Sequence, residues 1–211
     1  MTSQPTERVA AIAIGGSAGA VEALLVLLPA LQPDCGIPIF IVTHLPRERP
    51  SLLPTIFSGK CALRVMEAQD KQPIEAGSAY FAPPDYHLLV DLDEENTPTL
   101  ALSADELVHF SRPSVDILFE SAADLYGSAL LGIVLSGANE DGAAGLAAIA
   151  AAGGTTLVQD PKGAVARAMP AAALRAAPRS TVLNVASMAQ LLAQIRGGRL
   201  GAAGLGELKL S

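Results

Sequence analysis

Aromatic residues are scarce in this chain of 211 residues, and tryptophan is absent. Aromatic side chains supply only 4% of the positions, so a set of platforms on which nucleobases stack is not expected. Charged residues are also few, at 17%, whereas hydrophobic residues make up 50% of the chain, which excludes a disordered polypeptide. A core of Ala, Leu, Val and Ile is typical of thin, closely packed α/β layers.

Cysteine and histidine are too few and too scattered to predict a metal site. The two cysteines, Cys35 and Cys61, have no C-x-x-C spacing, and the three histidines are His44, His87 and His109. Neither a zinc site nor a disulfide framework is expected, and a reduced, cytoplasmic protein is the default.

Positive charge and long apolar runs are lacking as well. The chain has 14 Lys and Arg against 21 Asp and Glu, a net charge of −7, which is the wrong sign for a nucleic-acid-binding protein. No apolar run reaches the ~18 residues of a membrane span, and the first residues lack the pattern of a secretion signal. We therefore expect no nucleic-acid partner and no membrane insertion.

Short apolar runs alternate with segments of helical periodicity over most of the chain. The runs predicted as strands are 9–14, 37–43, 129–135, 155–158 and 181–185. The segments predicted as helices are 21–31, 142–152, 169–176 and 188–195, with another that starts after Pro113, has Ser111 or Ser114 as its N-cap and stops at Gly127. Strands this uniformly apolar predict a mostly parallel sheet with helices on both faces, a doubly wound, three-layer, Rossmann-like α/β fold.

The segment from 63 to 103 follows a different rhythm. Short runs at 79–82, 87–92 and 99–102 are separated by turn-forming residues, which predicts an antiparallel hairpin insert or a sheet edge. We expect a single domain over 1–211 with its core at about 8–195. Residues 196–211 are Gly-rich and weakly patterned, and we expect a tail there.

Three chemically active residues each follow a predicted strand: Ser17, His44 and Asp141. In open doubly wound sheets ligands bind outside the carboxyl ends of the strands. A hydroxyl that attacks, an imidazole that carries its proton and a carboxylate that holds the imidazole are the set that acyl transfer needs. The sequence therefore predicts a catalytic triad at this edge of the sheet.

Each of these residues also has a simpler interpretation. The segment from Gly15 to Gly19 fits G-x-S-x-G, and its alternative is a phosphate or dinucleotide loop. The nucleotide alternative is disfavoured, because G-x-G-x-x-G is not matched and no acidic residue ends the second strand. His44 could be a loop histidine bonded to the backbone, and Asp141 could cap the helix predicted to start at Gly142.

Four further residues have side chains that could serve in a functional site. His87, at a strand start, is predicted to be structural, and His109, in a polar stretch, to be solvated. Arg112 could pair with a substrate carboxylate or brace its loop, and Met169 could contact substrate or pack in the core.

The chain resembles the catalytic domain of the chemotaxis protein-glutamate methylesterases from about Val9 to Leu192. The matching stretches are AIAIGGSAGA, IFIVTHLP, GSAYFAPPDYHLLV, FSRPSVDILFESAADLYG, LLGIVLSGANEDGAAGL and GGTTLVQDPKGAVARAMPAAAL. By this resemblance Ser17 is the nucleophile, His44 the base and Asp141 the triad carboxylate.

The resemblance implies a serine hydrolase that removes methyl esters from glutamate side chains of chemoreceptors, and in some members deamidates glutamines. It implies no metal or cofactor, and its partners are the cytoplasmic helices of methyl-accepting receptors. Backbone N–H groups of Ala18 and Ala138 would hold the oxyanion, and Arg112 and Met169 are candidates for substrate contact.

Two departures from the family pattern leave an alternative open. The family segment Thr-Gly-Met-Gly-x-Asp-Gly becomes Ser-Gly-Ala-Asn-Glu-Asp-Gly at 136–142, so Asn139 must take the backbone angles of a glycine. We also expect no receiver domain in front of the first strand. The alternative is a catalytically impaired regulatory or scaffolding protein on the same fold.

Overall fold

A seven-stranded parallel sheet forms the centre of the computed structural model, which describes residues 7–47 and 49–200. In spatial order its strands are β10 (Thr181–Leu183), β9 (Thr155–Gln159), β8 (Leu130–Val134), β2 (Ala11–Gly16), β3 (Ile39–Thr43), β5 (Ser78–Phe81) and β4 (Arg64–Glu67). The helices are α1 (Ala20–Ala30), α2 (Leu53–Ser58), α3 (Val115–Tyr126), α4 (Ala143–Ala151), α5 (Ala168–Ala176) and α6 (Val185–Leu192).

Both faces of the sheet are covered, because consecutive residues of a strand point to opposite sides. On β2, Ile12 and Ile14 belong to the core layer that contains α1, α2 and α6. Ala11 and Ala13 belong to the opposite layer, which contains α3, α4 and α5. The doubly wound, three-layer α/β prediction is confirmed.

Small residues let α3 approach the central strand closely. A Cβ added to Gly15 would lie 2.0 Å from Val115 Cγ1, well inside van der Waals contact. The N-terminus of α3 therefore rests directly on the carboxyl end of β2. This contact brings the first turn of α3 to the edge where the strands end.

The segment predicted as an antiparallel insert or a sheet edge contains both. Strands β4 and β5 extend the parallel sheet beyond β3, whereas β6 (His87–Leu92) and β7 (Pro98–Ser103) form a separate antiparallel hairpin packed on α3. Placing the run at 79–82 in the insert was wrong. All four residues of β5 are buried, as a strand covered on both faces requires.

The described ends of the chain pair with each other. Strand β1 (Glu7–Arg8) is antiparallel to β11 (Arg199–Leu200), and Val9 N–H donates to the Gly198 carbonyl at 2.8 Å. The first residues of the expected tail are thus docked, and 201–211 lie outside the described residues. Within 7–47 and 49–200, no helix is long and apolar enough to cross a membrane.

Candidate active site

The carboxyl ends of β2, β3 and β8 bring the predicted site residues to one edge of the sheet. Gly16 is in register with Thr43, so Ser17 and His44 follow neighbouring strands at the same level. His44 N–H donates to the Gly16 carbonyl at 3.3 Å, and Ser17 N–H donates to the Ser136 carbonyl at 2.8 Å. The register of the parallel strands therefore fixes the backbone around Ser17 and His44.

His44 and Asp141 form a direct pair. His44 Nε2 lies 2.7 Å from Asp141 Oδ2, and the side chains are 14% and 0% exposed. The same carboxylate accepts Ser114 Oγ–H at 2.7 Å and the N–H groups of Val115 at 2.7 Å and Asp116 at 3.0 Å. Asp141 thus binds the imidazole and caps α3 at once.

The helix that Asp141 caps differs from the one the sequence suggested. Helix α4 begins at Ala143 with Gly142 as its N-cap, at φ 90° and with no capping side chain. The capping interpretation of Asp141 was therefore wrong about α4, and the cap belongs to α3, which lies 25 residues earlier in the chain. Ser114 is the N-cap of α3 by position, but its hydroxyl donates to Asp141 instead of capping the helix itself.

The electrostatics of the pair follow from these contacts. Burial alone would raise the pKa of Asp141, but hydrogen bonds from His44, Ser114 and the start of α3 hold that pKa below its ordinary value. The carboxylate is therefore ionised and can only accept hydrogen bonds. Nε2 of His44 must carry a proton to donate to it, which leaves Nδ1 as the basic nitrogen.

The hydroxyl of Ser17 is half-buried and unengaged. Among residues 7–47 and 49–200 it has no hydrogen-bond partner, and Nδ1 of His44 instead lies 3.3 Å from Ser111 Oγ. The sequence predicts Ser17 as the nucleophile, and this role stays a prediction.

The loop before Asp141 is anchored by its first residue. Ser136 Oγ donates to the Ala18 carbonyl at 2.7 Å and accepts Ala166 N–H at 2.9 Å, while Ser136 N–H donates to Gln159 Oε1 at 2.8 Å. Within the described ranges the N–H groups of Ala18 and Ala138 have no acceptor, and both residues are exposed. The arrangement leaves two free backbone donors on the segments that flank Ser17 and Asp141.

The Asn139 departure is accommodated without backbone strain. Asn139 does not adopt a positive φ, so replacing glycine here places no side chain in the left-handed region. Its Nδ2 donates to the His109 carbonyl at 3.4 Å. Asn139 thereby ties the aspartate loop to the segment that carries Ser111.

That segment, Val108–Ser111, forms a two-residue hairpin that we call the 108–111 hairpin. Its ends exchange backbone hydrogen bonds, and His109 and Phe110 at its tip have φ of 50° and 61°. His109 is exposed, as predicted, and its Nε2 lies 3.4 Å from Asp116 Oδ2. Burial raises the pKa of Asp116, and the carboxylate of Asp141 contributes in the same direction.

His87 has the contacts of a structural residue, as predicted. It is 1% exposed, its Nδ1 accepts Ser114 N–H at 3.1 Å, and its Nε2 lies 3.0 Å from the Glu106 carbonyl.

Arg112 and Met169 are both engaged within the protein. The Arg112 guanidinium donates to Asp85 Oδ1 at 2.7 Å from Nη2 and to the carbonyls of Ala104 and Asp105 from Nη1. Met169 is 1% exposed and packs where a Cβ on Gly137 would lie, 2.5 Å from its sulfur. Substrate contact by either residue stays a prediction.

Sequence reasoning missed the residues that support the triad from outside the strand ends. Ser111 and Ser114 were considered only as helix caps, and nothing in their spacing connects them to His44 or Asp141. Gln159 carried a usable signal, because a glutamine ending a buried strand needs a partner. In the described part of the chain, no group of three or more His, Cys, Asp or Glu side chains could hold a metal ion.

Comparison with known families gives a match over most of the chain. A family model described as CheB methylesterase matches residues 12–192. The crystal structure of the Thermotoga maritima CheB methylesterase catalytic domain superposes with a TM-score of 0.83 at 26% identity, covering 88% of this chain and 97% of that one.

Sequence relatives of this chain carry names of the same enzyme family. A putative protein-glutamate methylesterase/protein-glutamine glutaminase of Leptospira interrogans is 41% identical over 185 residues, 88% of this chain and 94% of the relative. A protein-glutamate methylesterase/protein-glutamine glutaminase of Caulobacter vibrioides is 35% identical over 86% of this chain, which spans 52% of that relative. The chain thus spans nearly all of one relative and about half of the other.

Proposed function

The chain belongs to the CheB methylesterase family, and on that premise we propose that it hydrolyses γ-glutamyl methyl esters in proteins, with Ser17 as nucleophile. The observation that carries the proposal is the bonded His44–Asp141 pair, with its basic nitrogen on the side away from the carboxylate. An imidazole held this way can take a proton from a serine and return it.

The first half of the reaction forms an acyl-enzyme. Ser17 Oγ attacks the ester carbonyl while His44 Nδ1 takes the hydroxyl proton, and a C–O bond forms as the carbonyl π electrons move to oxygen. The N–H groups of Ala18 and Ala138 are the donors proposed to hold that oxyanion. Collapse of the tetrahedral intermediate breaks the bond to the methoxy group, which leaves as methanol with the proton from Nδ1.

The second half releases the product. Water attacks the acyl-enzyme as its proton passes to His44 Nδ1, and collapse frees the glutamate side chain while Ser17 Oγ recovers that proton. Asp141 stays ionised throughout and stabilises the imidazolium that forms twice in the cycle. No step requires a metal or a cofactor.

Glutamine deamidation is a second candidate activity of the same site. The names of the relatives from Leptospira and Caulobacter pair the two activities. With Ser17 as nucleophile, both reactions would pass through the same glutamyl-enzyme. In deamidation the leaving group is ammonia, protonated by the same nitrogen of His44. We propose the cytoplasmic helices of methyl-accepting receptors as the protein substrates and the cytoplasm as the place where the enzyme acts.

The proposed oxyanion donors, the proposed substrate contacts and the single catalytic domain are each supported by a different observation. Ala18 and Ala138 are supported as oxyanion donors by their unused N–H groups within the described ranges. Arg112 and Met169 are retained as candidates for substrate contact; Arg112 donates to Asp85, and Met169 lies against Gly137. The match to nearly all of the Thermotoga domain supports one catalytic domain over this chain.

The test is methanol release from a methylated receptor fragment, together with labelling by a fluorophosphonate. We expect wild type to release methanol and to be labelled at Ser17, and Ser17→Ala to do neither. Ser58→Ala is a matched control, because Ser58 is an exposed serine on α2. Receptor binding by wild type without methanol release or labelling would favour the impaired scaffolding alternative.

A further inference from the structure

The nitrogen that the proposed mechanism uses as a base already has a hydroxyl beside it. Ser111 Oγ lies 3.3 Å from His44 Nδ1, and the other ring nitrogen is held by Asp141. We infer that Ser111 is a positioning residue that orients His44 through Nδ1 and gives up this nitrogen when Ser17 is used. The inference rests on the proposed esterase function and adds a residue to its machinery.

A hydroxyl is suited to this place because it can reverse its hydrogen bond. While His44 is neutral, Nδ1 is an acceptor and Ser111 Oγ–H donates to it. When Nδ1 carries the proton taken from Ser17 or water, the same oxygen can rotate its hydrogen away and accept. Ser111 can therefore bind the ring in either protonation state while no reacting group occupies Nδ1, which neither a carboxylate nor an ammonium group can do.

The contact is also weak enough to be displaced. A separation of 3.3 Å is at the long end of hydrogen-bond distances, so the bond is worth less than a short one. Ser111 Oγ has a second acceptor, the His109 carbonyl, at 3.4 Å. The Ser111 hydroxyl can thus turn to the backbone when the Ser17 hydroxyl approaches Nδ1, and no polar group is left without a partner.

The 108–111 hairpin fixes the position of Ser111. Ser111 N–H donates to the Val108 carbonyl at 2.8 Å, and Val108 N–H donates to the Ser111 carbonyl at 3.1 Å. Positive φ at both tip residues is the conformation of a tight type I′ hairpin. Asn139 and Asp116 hold His109 from two sides, so Ser111 is positioned by its backbone and not by its side chain alone.

Ser111 could instead be a second nucleophile, since it sits on the basic nitrogen. The backbone donors do not separate the two serines, because Ser17 N–H and Ser111 N–H both have acceptors and, in the described ranges, the N–H groups of Ala18 and Arg112 both have none. Ser17 is preferred because it follows β2 at the carboxyl end of the parallel sheet, and the site of fluorophosphonate labelling tests this choice.

The experiment compares wild type, Ser111→Ala, Ser111→Thr, Ser17→Ala and the control Ser58→Ala. Methanol release gives kcat and KM, fluorophosphonate labelling with mass spectrometry locates the modified serine, and ¹⁵N NMR follows the His44 ring nitrogens. We expect Ser111→Ala to lower kcat roughly tenfold with KM within about twofold. We also expect the Nδ1 resonance of His44 to move in Ser111→Ala and both effects to be largely reversed in Ser111→Thr.

Each other outcome overturns the inference. An active wild type with kcat and the Nδ1 resonance unchanged in Ser111→Ala removes the positioning role but leaves the proposed function intact. Labelling at residue 111 that persists in Ser17→Ala would make Ser111 the nucleophile. An inactive, unlabelled wild type would end the proposed function and this inference together.

Discussion

Asp141 contacts His44 through an oxygen that it shares with a helix. Oδ2 lies 2.7 Å from His44 Nε2 and accepts Val115 N–H, also at 2.7 Å. The orientation of the imidazole is therefore tied to the position of α3. A substitution that displaces the first turn of α3 should therefore change the orientation of His44, the proposed base, without contacting it directly.

Asp141→Asn should impair both activity and stability. The amide places an N–H₂ where the carboxylate accepts hydrogen bonds on both oxygens, so at least one donor on α3 or His44 loses its acceptor. We expect kcat/KM to fall on the order of 10⁴-fold and the free energy of unfolding to fall by about 2–4 kcal/mol. Kinetics and urea titration measure the two effects, with exposed Asp124→Asn on α3 as the control. A fully active Asp141→Asn would contradict the assignment.

The stability contributed by Asp141 should depend on pH in one direction. Because the pKa of this carboxyl is lowered on folding, its contribution is present above the unfolded value of about 3.9 and is lost as the pH falls through the folded value. The stability difference between wild type and Asp141→Asn should be constant from about pH 7 to 5 and shrink below about pH 4. Urea titrations of both proteins across this range measure it, and a difference that grows at low pH would reverse the sign of the argument.

Gly15→Ala should destabilise the protein by crowding α3. The new Cβ would meet Val115 Cγ1 at 2.0 Å, and we expect a loss of about 1–3 kcal/mol together with lower activity. Val115→Ala removes the clashing methyl groups, so the double variant should be more stable than the two single effects added. Thermal unfolding of the four proteins tests this, and simple additivity would show that Val115 is not the obstacle.

Arg112→Ala should lower the free energy of unfolding if Arg112 braces its loop. Its partner Asp85 provides a matched variant, since Asp85→Ala removes the other half of the pair. We expect losses of about 1–2 kcal/mol from Arg112→Ala, because a partly exposed ion pair and the hydrogen bonds to two carbonyls are lost, and a clearly non-additive double variant. A raised KM in Arg112→Ala alone, with stability unchanged, would support direct substrate binding instead.

Phe110→Gly should stabilise the fold. Phe110 is 93% exposed at φ 61°, a backbone region that costs a side chain about 1 kcal/mol. Phe110→Ala keeps the Cβ and serves as the reference, so the glycine variant should be more stable than the alanine variant by about 0.5–1 kcal/mol. Chemical unfolding of the Phe110→Gly and Phe110→Ala variants measures this difference. Equal stability of the two variants would mean that the tip of the 108–111 hairpin carries no backbone strain.

Two of the three triad candidates are well determined by the sequence, because Ser17 and His44 come directly after β2 and β3. Asp141 lies beyond the end of β8 with Glu140 beside it, so spacing alone distinguishes it least well. The doubly wound fold follows from the alternation of apolar runs with helical segments. The edge of the sheet was harder to predict from the sequence, because the buried strand β5 has the length and composition of a hairpin strand. Only its pairing with β3 shows that it is parallel.

The supporting contacts were beyond sequence reasoning for a different reason. Asp141 binds a helix whose first residues lie 25 to 27 positions earlier, and His44 meets Ser111 across 67 positions. Such contacts depend on how closely α3 and the 108–111 hairpin pack on the sheet. No periodicity in the sequence reports that distance.

The pairing of β1 with β11 identifies a part of the protein surface that is suitable for immobilisation. Both strands lie before the amino end of β2, whereas Ser17 follows its carboxyl end, roughly 20 Å away along six residues of strand. A surface or a dye coupled at Arg8 or Arg199, which are both exposed, would leave the opposite edge with Ser17 and His44 unobstructed. For single-molecule or biosensor measurements, this edge of the molecule is the one to immobilise.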